Sequence, residues 1–260
     1  MRADGDADGE GAEAAAIEAA ASACGLSLPF GAPPLLARHA RLVREAARHQ
    51  NLTTIIAPDA MRVLHIIDSL LPLVVWPDVV RTDAGAVDLG AGAGYPGLPL
   101  AIAGAAARVV LLEATRRKAE FLAEAAASSG APATALWGRA EEVGARLGGQ
   151  ARVWARAVGP LPVLVELAFG MLREGGVLVC WKGPDAAGAE GEAGESACRA
   201  LGGDGLGMRT YALPEGGGQR TLFAYRRGSG PLPAGVPRAP AMIRRRPLMP
   251  EGRGKERSDA

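Results

Sequence analysis

Residues 87–97 read Val-Asp-Leu-Gly-Ala-Gly-Ala-Gly-Tyr-Pro-Gly, so Gly90, Gly92, Gly94 and Gly97 crowd one short stretch behind an apolar run that contains an acid. Val87-Asp88-Leu89 reads as the end of a buried strand, and Leu98-Pro99-Leu100-Ala101-Ile102-Ala103 as a helix leaving the turn. A strand, a glycine turn and a helix N-terminus together present backbone N–H groups and the positive end of a dipole to a polar ligand. The glycines let that ligand approach the backbone, where a Cβ would collide with it. Glu113 closes the next apolar run, about 20 residues on, where a carboxylate accepts hydrogen bonds from ribose hydroxyls. Further runs end near Gly138-Arg139-Ala140-Glu141 and at Ala155-Arg156-Ala157. Two arginines at neighbouring strand ends suit a phosphate or carboxylate partner.

Two ligand classes fit these residues. Gly92-Ala-Gly94-Tyr-Pro-Gly97 satisfies the dinucleotide pattern G-x-G-x-x-G, and Glu113 would serve a nicotinamide dinucleotide or a sulfonium methyl donor equally. In the dinucleotide fingerprint, however, the first glycine of that pattern directly follows the strand. Here Gly90 follows it, opening D-x-G-x-G-x-G, which favours a methyl donor with no pyrophosphate to cradle. A nicotinamide-dependent oxidoreductase stays the alternative enzyme, and a non-catalytic ribosome-associated RNA-binding protein the alternative outside enzymes.

Elements that would position these residues are legible. Candidate strands 86–89, 109–113, 134–137, 152–157 and 177–182 alternate with helical stretches such as 115–128 and 161–172. Short apolar strands alternating with helices predict a parallel sheet covered on both faces. Residues 207–213 and 220–226 predict a closing antiparallel pair, giving a Rossmann-like α/β sheet of seven strands. Upstream, Leu35, Leu36, His39, Leu42 and Val43 fall at helical spacing after Pro33-Pro34, and Asp59 is expected to cap a second helix through Leu71. The expected division is an acidic disordered tail over 1–30 with a weak helix near 12–23, a helical extension over 31–80, the α/β domain over 81–228, and a basic Pro/Arg-rich tail over 229–260.

Composition narrows the setting. Of 260 residues, 48% are hydrophobic, ample for a core, yet no apolar run approaches the ~20 residues that span a bilayer. Cys24, Cys180 and Cys198 form no C-x-x-C pair, which points to a reduced cytoplasmic compartment, no structural metal, and a packing role for Cys180. The N-terminal stretch lacks the basic-then-apolar order of a secretion signal. Residues 1–20 carry six acids against one base, and 226–260 nine bases against three acids. Lys118, Lys182 and Lys255 are the only lysines among 29 basic residues, so arginine abundance reflects coding bias and is poor evidence for RNA by itself. Arg244-Arg245-Arg246, in a stretch expected to be mobile, would meet phosphates without sequence preference.

The pattern as a whole resembles the bacterial small-subunit ribosomal RNA guanine-N7 methyltransferases of the RsmG/GidB type. The matching stretches are Asn51-Leu52-Thr53, His65-Ile-Ile-Asp68-Ser69-Leu70, the run Val87–Ile102, Leu112-Glu113 with Arg117-Lys118 and Phe121-Leu122, Gly138–Glu141, Ala155-Arg156-Ala157, Lys182-Gly183, Pro237-Arg238 and Pro247-Leu248. They run in order over about residues 35–250. The resemblance implies S-adenosyl-L-methionine as cofactor, and 16S ribosomal RNA or a small-subunit particle as partner, methylated at N7 of a guanine of the position-527 class. It implies that Gly90 and Tyr95 line the donor pocket, that Ala140 and Glu141 contact the adenine side, and that Arg156 lies at the mouth shared by cofactor and substrate. Joined to the residue reading, this makes Gly90, Gly92, Gly94, Tyr95, Glu113, Ala140, Glu141 and Arg156 the expected cofactor-binding set, with Arg156 and Arg139 as catalytic candidates. Ala46-Ala47 replaces the family's usual Trp-Asn pair, and Ala151 an acid that often opens the fourth strand. Guanine N7 carries an exposed lone pair and needs no deprotonation, so positioning is the main requirement and a missing Ser/His/Asp arrangement is expected.

Overall fold

The computed structural model describes residues 4–249. Seven strands form one sheet: β1 (Gly85–Leu89), β2 (Arg108–Glu113), β3 (Ala133–Trp137), β4 (Gln150–Arg156), β5 (Leu172–Lys182), β6 (Asp204–Ala212) and β7 (Gln219–Arg226), in the order β3-β2-β1-β4-β5-β7-β6. The first five are parallel, and β7 runs antiparallel to both β5 and β6. β1 therefore lies between β2 and β4, at the point where strand order reverses, and the carboxyl ends of these strands open onto one edge.

The sequence expectation of a Rossmann-like sheet holds, with strands that start earlier than expected, β4 at Gln150, β6 at Asp204 and, by the most, β5. The apolar run through Leu172 reads as helix, yet the helix ends at Phe169 and β5 already starts at Leu172. Gly170 closes the helix, and Gly175, at φ +71°, lies within β5 between Leu172 and Val177, where the register against β4 shifts.

Twelve α-helical segments are described: α1 (Asp4–Ala23), α2 (Ala32–Ala47), α3 (Pro58–Met61), α4 (Asp68–Leu70), α5 (Pro72–Val75), α6 (Pro77–Val80), α7 (Gly97–Ile102), α8 (Arg116–Ser129), α9 (Ala140–Val143), α10 (Leu161–Phe169), α11 (Ala189–Ala200) and α12 (Pro240–Arg245). Arg62–Ile67 joins α3 to α4 as a π-helical turn. The expected Asp59 cap is not formed: Ala57 is the N-cap, and Asp59 pairs with Arg62 at 2.7 Å. Two cores flank the sheet. Along β1, Ala86 faces the one containing α1, α2 and α8, while Val87 and Leu89 face the one containing α10 and α12.

Both expected tails are corrected within the described residues, 1–3 lying outside them, and the weak helix expected near 12–23 falls inside the longer α1. The acidic N-terminal stretch forms α1, packed on α2 through the buried Ala14, Ile17 and Ala21, with Glu10 bound by Arg38 and Arg41 at 3.2 Å each. Ile17 is its one large apolar residue. Low-complexity alanine reads as disorder, but here small side chains let the two helices approach closely. Ile17, fully buried, makes the test: Ile17→Ala removes about 3 kcal/mol and lowers Tm by roughly 6–12 °C in a thermal melt. An unchanged Tm would mean that α1 is not docked.

The C-terminal stretch is likewise ordered as far as the described residues extend. Ile243 of α12 is fully buried against α10, and Arg238 binds the buried Glu166 carboxylate through its backbone N–H (2.8 Å), Nε (2.8 Å) and Nη2 (2.6 Å). Residues 250–260 of the expected tail lie outside the described residues.

Candidate active site

Two clefts adjoin at the carboxyl edge of β1, β2 and β4. The first, about 450 Å³, is lined by Gly90, Gly92, Tyr95, Glu113, Lys118 and Arg156 together with Leu52, Thr53 and His65. The second, about 390 Å³, is lined by Gly90, Leu112, Arg139, Ala140, Glu141 and Val158. Gly90, Ala114 and Val158 belong to both, so the turn after β1 and the loops after β2 and β4 form the shared rim. The sequence-expected residues thus converge, with two exceptions.

Gly94 lines neither cleft. It is a packing glycine: a Cβ there would lie 2.9 Å from His39 Nε2. Arg139 is over half exposed on the rim of the second cleft, paired with Glu141 at 2.8 Å, and the structure does not bring it to Arg156. It therefore has no place among the groups around Arg156.

Geometry at the turn explains the remaining glycines. Gly90 takes φ +71° with Val158 Cγ2 only 2.7 Å from where a Cβ would stand, so a side chain is refused by both backbone and neighbour. Gly92 takes φ +56°, and its missing Cβ would meet only Gly90 O, at 3.8 Å; its bare backbone forms cleft wall with open space beyond. Glu113 accepts hydrogen bonds from Gly92 N–H (3.0 Å) at one oxygen and Thr115 N–H (2.7 Å) at the other. Half of a carboxylate's lone-pair sites remain for a ligand. Asp88 is the motif's structural acid: it is buried, accepts Gly97 N–H at 2.7 Å, and burial pushes its carboxyl up to about 7.

Arg156 is the most constrained cation of the site. Nη1 donates to Asp68 Oδ2 (3.0 Å) and Leu64 O (3.2 Å), Nη2 lies 3.3 Å from His65 Nδ1, and the guanidinium stands 5.5 Å from the Tyr95 ring centroid. Asp68 also accepts from Tyr211 OH (3.0 Å) and Arg220 Nε (3.3 Å), leaving a buried carboxylate with three side-chain donors. The sequence signal His65-x-x-Asp68 reads as a pair one helical turn apart. Instead, the two side chains meet on Arg156. Ala157, next in the chain, takes φ +58°, a strained conformation for a non-glycine residue at a functional edge. Lys182, at the end of β5, donates to Gly159 O (2.7 Å) and pairs with Glu190 (2.5 Å), tying it to the loop after β4.

Beneath the first cleft, Tyr95 is sandwiched between His39 (centroids 4.6 Å) and His65 (4.7 Å). Burial lowers both imidazoles to about 4, with the Arg156 charge adding to the effect at His65. His39 is thus neutral and donates from Nε2 to Ala93 O at 2.8 Å. The sign follows: both groups have folded pKa values below their unfolded ones, so their stabilisation is complete above pH 6.5 and is lost as pH falls toward 4. Asp88 acts oppositely, losing stability as pH rises from about 4 to about 7. Over pH 4–6.5, His39→Asn is expected to flatten the rise of unfolding free energy by one proton, about 1.4 kcal/mol per pH unit. Denaturant melts at stepped pH measure it, and a slope equal to wild type would refute a neutral buried His39.

Among the described residues, no three His, Cys, Asp or Glu side chains gather as a metal site, and no helix is long and apolar enough to cross a membrane. Cys180 is buried in β5, where burial holds its thiol protonated, consistent with packing.

A family model described as rRNA small subunit methyltransferase G (GidB) matches residues 34–213. A Deinococcus radiodurans protein named ribosomal RNA small subunit methyltransferase G is 38% identical over 216 residues, spanning 82% of this chain and 84% of that protein. Its namesake from Symbiobacterium thermophilum is 33% identical over 241 residues, spanning 89% and 96%. Among solved structures, a branched-chain polyamine synthase from Thermus thermophilus, in complex with N4-aminopropylspermidine and 5′-methylthioadenosine, superposes with a TM-score of 0.54 at 17% identity, covering 76% of this chain and 66% of that one. At that identity the likeness is one of fold.

Proposed function

The chain belongs to the rRNA small subunit methyltransferase G family, and from that premise we propose that it methylates N7 of a guanine in 16S ribosomal RNA, with S-adenosylmethionine as donor. The observation that carries the reading is one cleft that joins the bare backbone of Gly92, the half-satisfied Glu113 carboxylate and the fixed guanidinium of Arg156. These residues fit the donor: the backbone wall admits close approach, Glu113 has lone pairs for ribose hydroxyls, and the adjoining cleft offers Leu112, Ala140 and Val158 to a purine. When bound, S-adenosylmethionine supplies an electrophilic methyl group.

The chain's own contribution is orientation. Arg156, held by Asp68, Leu64 and His65, offers a rigid positive edge between the donor cleft and a third hollow lined by Asp68, Trp181, Gly183 and Arg220. A guanine needs no general base at N7: of the two imidazoles, His65 lines the cleft and is engaged by Thr53 and Arg156, while His39, which lines neither cleft, donates to Ala93 O. Arg156 would anchor the acceptor nucleotide through its phosphate or base edge. The ribosomal RNA of the family name, naked or in a small-subunit particle, is the proposed partner, and the cytoplasm the proposed location.

Mapping N7-methylguanine in 16S ribosomal RNA from cells with and without the gene tests the reading. One modified guanine should vanish with the gene and return with it. An unchanged map would overturn the proposal.

A further inference from the structure

We propose that the C-terminal helix is part of the donor site, with Arg244 contacting the adenosine half of the cofactor; this rests on the donor assignment above. The second cleft has two sides. One comes from the ends of β1, β2 and β3 with Val163 and Leu167 of α10; the other is Ala239, Pro240, Ala241 and Arg244. These four residues lie beyond the 34–213 stretch that the family model matches, and none belongs to the glycine turn or the strand ends from which the site was read.

The second side is locked down. Ile243, one residue before Arg244, is fully buried in the same core as Val163 and Leu167. Arg238 places three donors on Glu166, whose side chain is 1% exposed, and its Nη1 donates to Arg246 O at 3.0 Å, tying the two ends of α12 together. Lifting the segment would strip a buried carboxylate of its charge partner, a change that costs several kcal/mol. α12 is accordingly a fixed wall, and Arg244 is presented into the cleft from a fixed backbone. Its Nη2 reaches within 4.0 Å of where a Cβ on Gly159 would stand, which carries it to the loop that rims both clefts.

The opposite faces, Leu112, Ala140 and Val163, are apolar and suit a flat purine. A planar guanidinium stacks on such a ring, as an ammonium does not. Arg245 and Arg246, the neighbouring arginines, do not line the cleft and are left to solvent or RNA.

Isothermal titration of the full chain with S-adenosylhomocysteine and with 5′-methylthioadenosine tests the assignment. Arg244→Ala should weaken both ligands by the same factor, about tenfold, while Tm stays at the wild-type value and Arg245→Ala binds normally. Because 5′-methylthioadenosine lacks the amino-acid end, a loss confined to S-adenosylhomocysteine would place Arg244 at the wrong end and overturn the proposal. So would wild-type affinity in Arg244→Ala, or an equal loss in Arg245→Ala. If the wild-type chain binds neither ligand, the donor reading itself fails, a result distinct from all of these.

Discussion

Gly92→Val is expected to lower affinity for S-adenosylhomocysteine by more than about 100-fold while leaving the fold in place. The reason lies in two separate features of one residue. Its Cβ would meet no protein atom closer than Gly90 O at 3.8 Å, so the added isopropyl group projects into the cleft and takes the volume a ligand needs. Its φ of +56° is a region β-branched residues avoid, so the turn itself would also be forced to shift, moving the N–H that Glu113 accepts at 3.0 Å. Gly92→Ala separates the two: it carries the same backbone penalty with a single carbon, and should retain measurable binding. Titration calorimetry on both variants, with circular dichroism to verify the fold, gives the answer. Wild-type affinity in Gly92→Val would mean that the ligand does not pass over this backbone.

The contrast between Gly92 and Gly94 shows where sequence reading stops. Both fall in the same motif, and pattern alone makes them equivalent; only the tertiary neighbour separates them, since His39 from α2 stands where a Gly94 Cβ would be while no side chain stands there at Gly92. The sheet was legible because its strands are short apolar runs separated by helices, a signal that is local in the chain. Glu113 and Arg156 were legible for the same reason, as residues at the ends of such runs. The Asp68 cluster was not, because Tyr211 and Arg220 are contributed from more than 140 positions downstream, across the antiparallel pair β6 and β7. α12 was missed because six residues between prolines and arginines carry little periodicity, and its docking depends on Ile243 and on one arginine finding Glu166. The helix expected near 12–23 falls inside α1, but its start at Asp4 and its docking on α2 are hidden by composition: alanine is a strong helix former, yet a run of it offers no apolar stripe to announce its partner.

Arg156→Ala is expected to reduce kcat for ribosomal RNA methylation by about 100-fold, with affinity for S-adenosylhomocysteine changed only a few-fold. Arg156 is a wall of the proposed donor cleft, yet its hydrogen bonds are made to Leu64, Asp68 and His65, so its removal leaves the Gly92 and Glu113 cradle standing. What is lost is a fixed cation where the proposed donor cleft meets the hollow lined by Asp68, Trp181 and Arg220. Asp68→Asn should reproduce a large part of that loss from one step away. The amide oxygen can still take the place of Oδ2 and accept from Arg156 and Arg220, with the NH2 turned to donate to the Tyr211 hydroxyl oxygen, but the negative charge is gone and two guanidiniums lose their shared counter-charge. The expected signature is a fall in kcat of roughly 10- to 100-fold with the KM for donor near wild type. Arg156→Lys should not rescue activity, because an ammonium cannot span Leu64 O, Asp68 Oδ2 and His65 Nδ1 as the planar fork does. Steady-state kinetics with donor and RNA varied in turn resolve these cases. Full turnover in Asp68→Asn would show that Arg156 holds its position without the carboxylate, and full turnover in Arg156→Lys would show that charge alone suffices there.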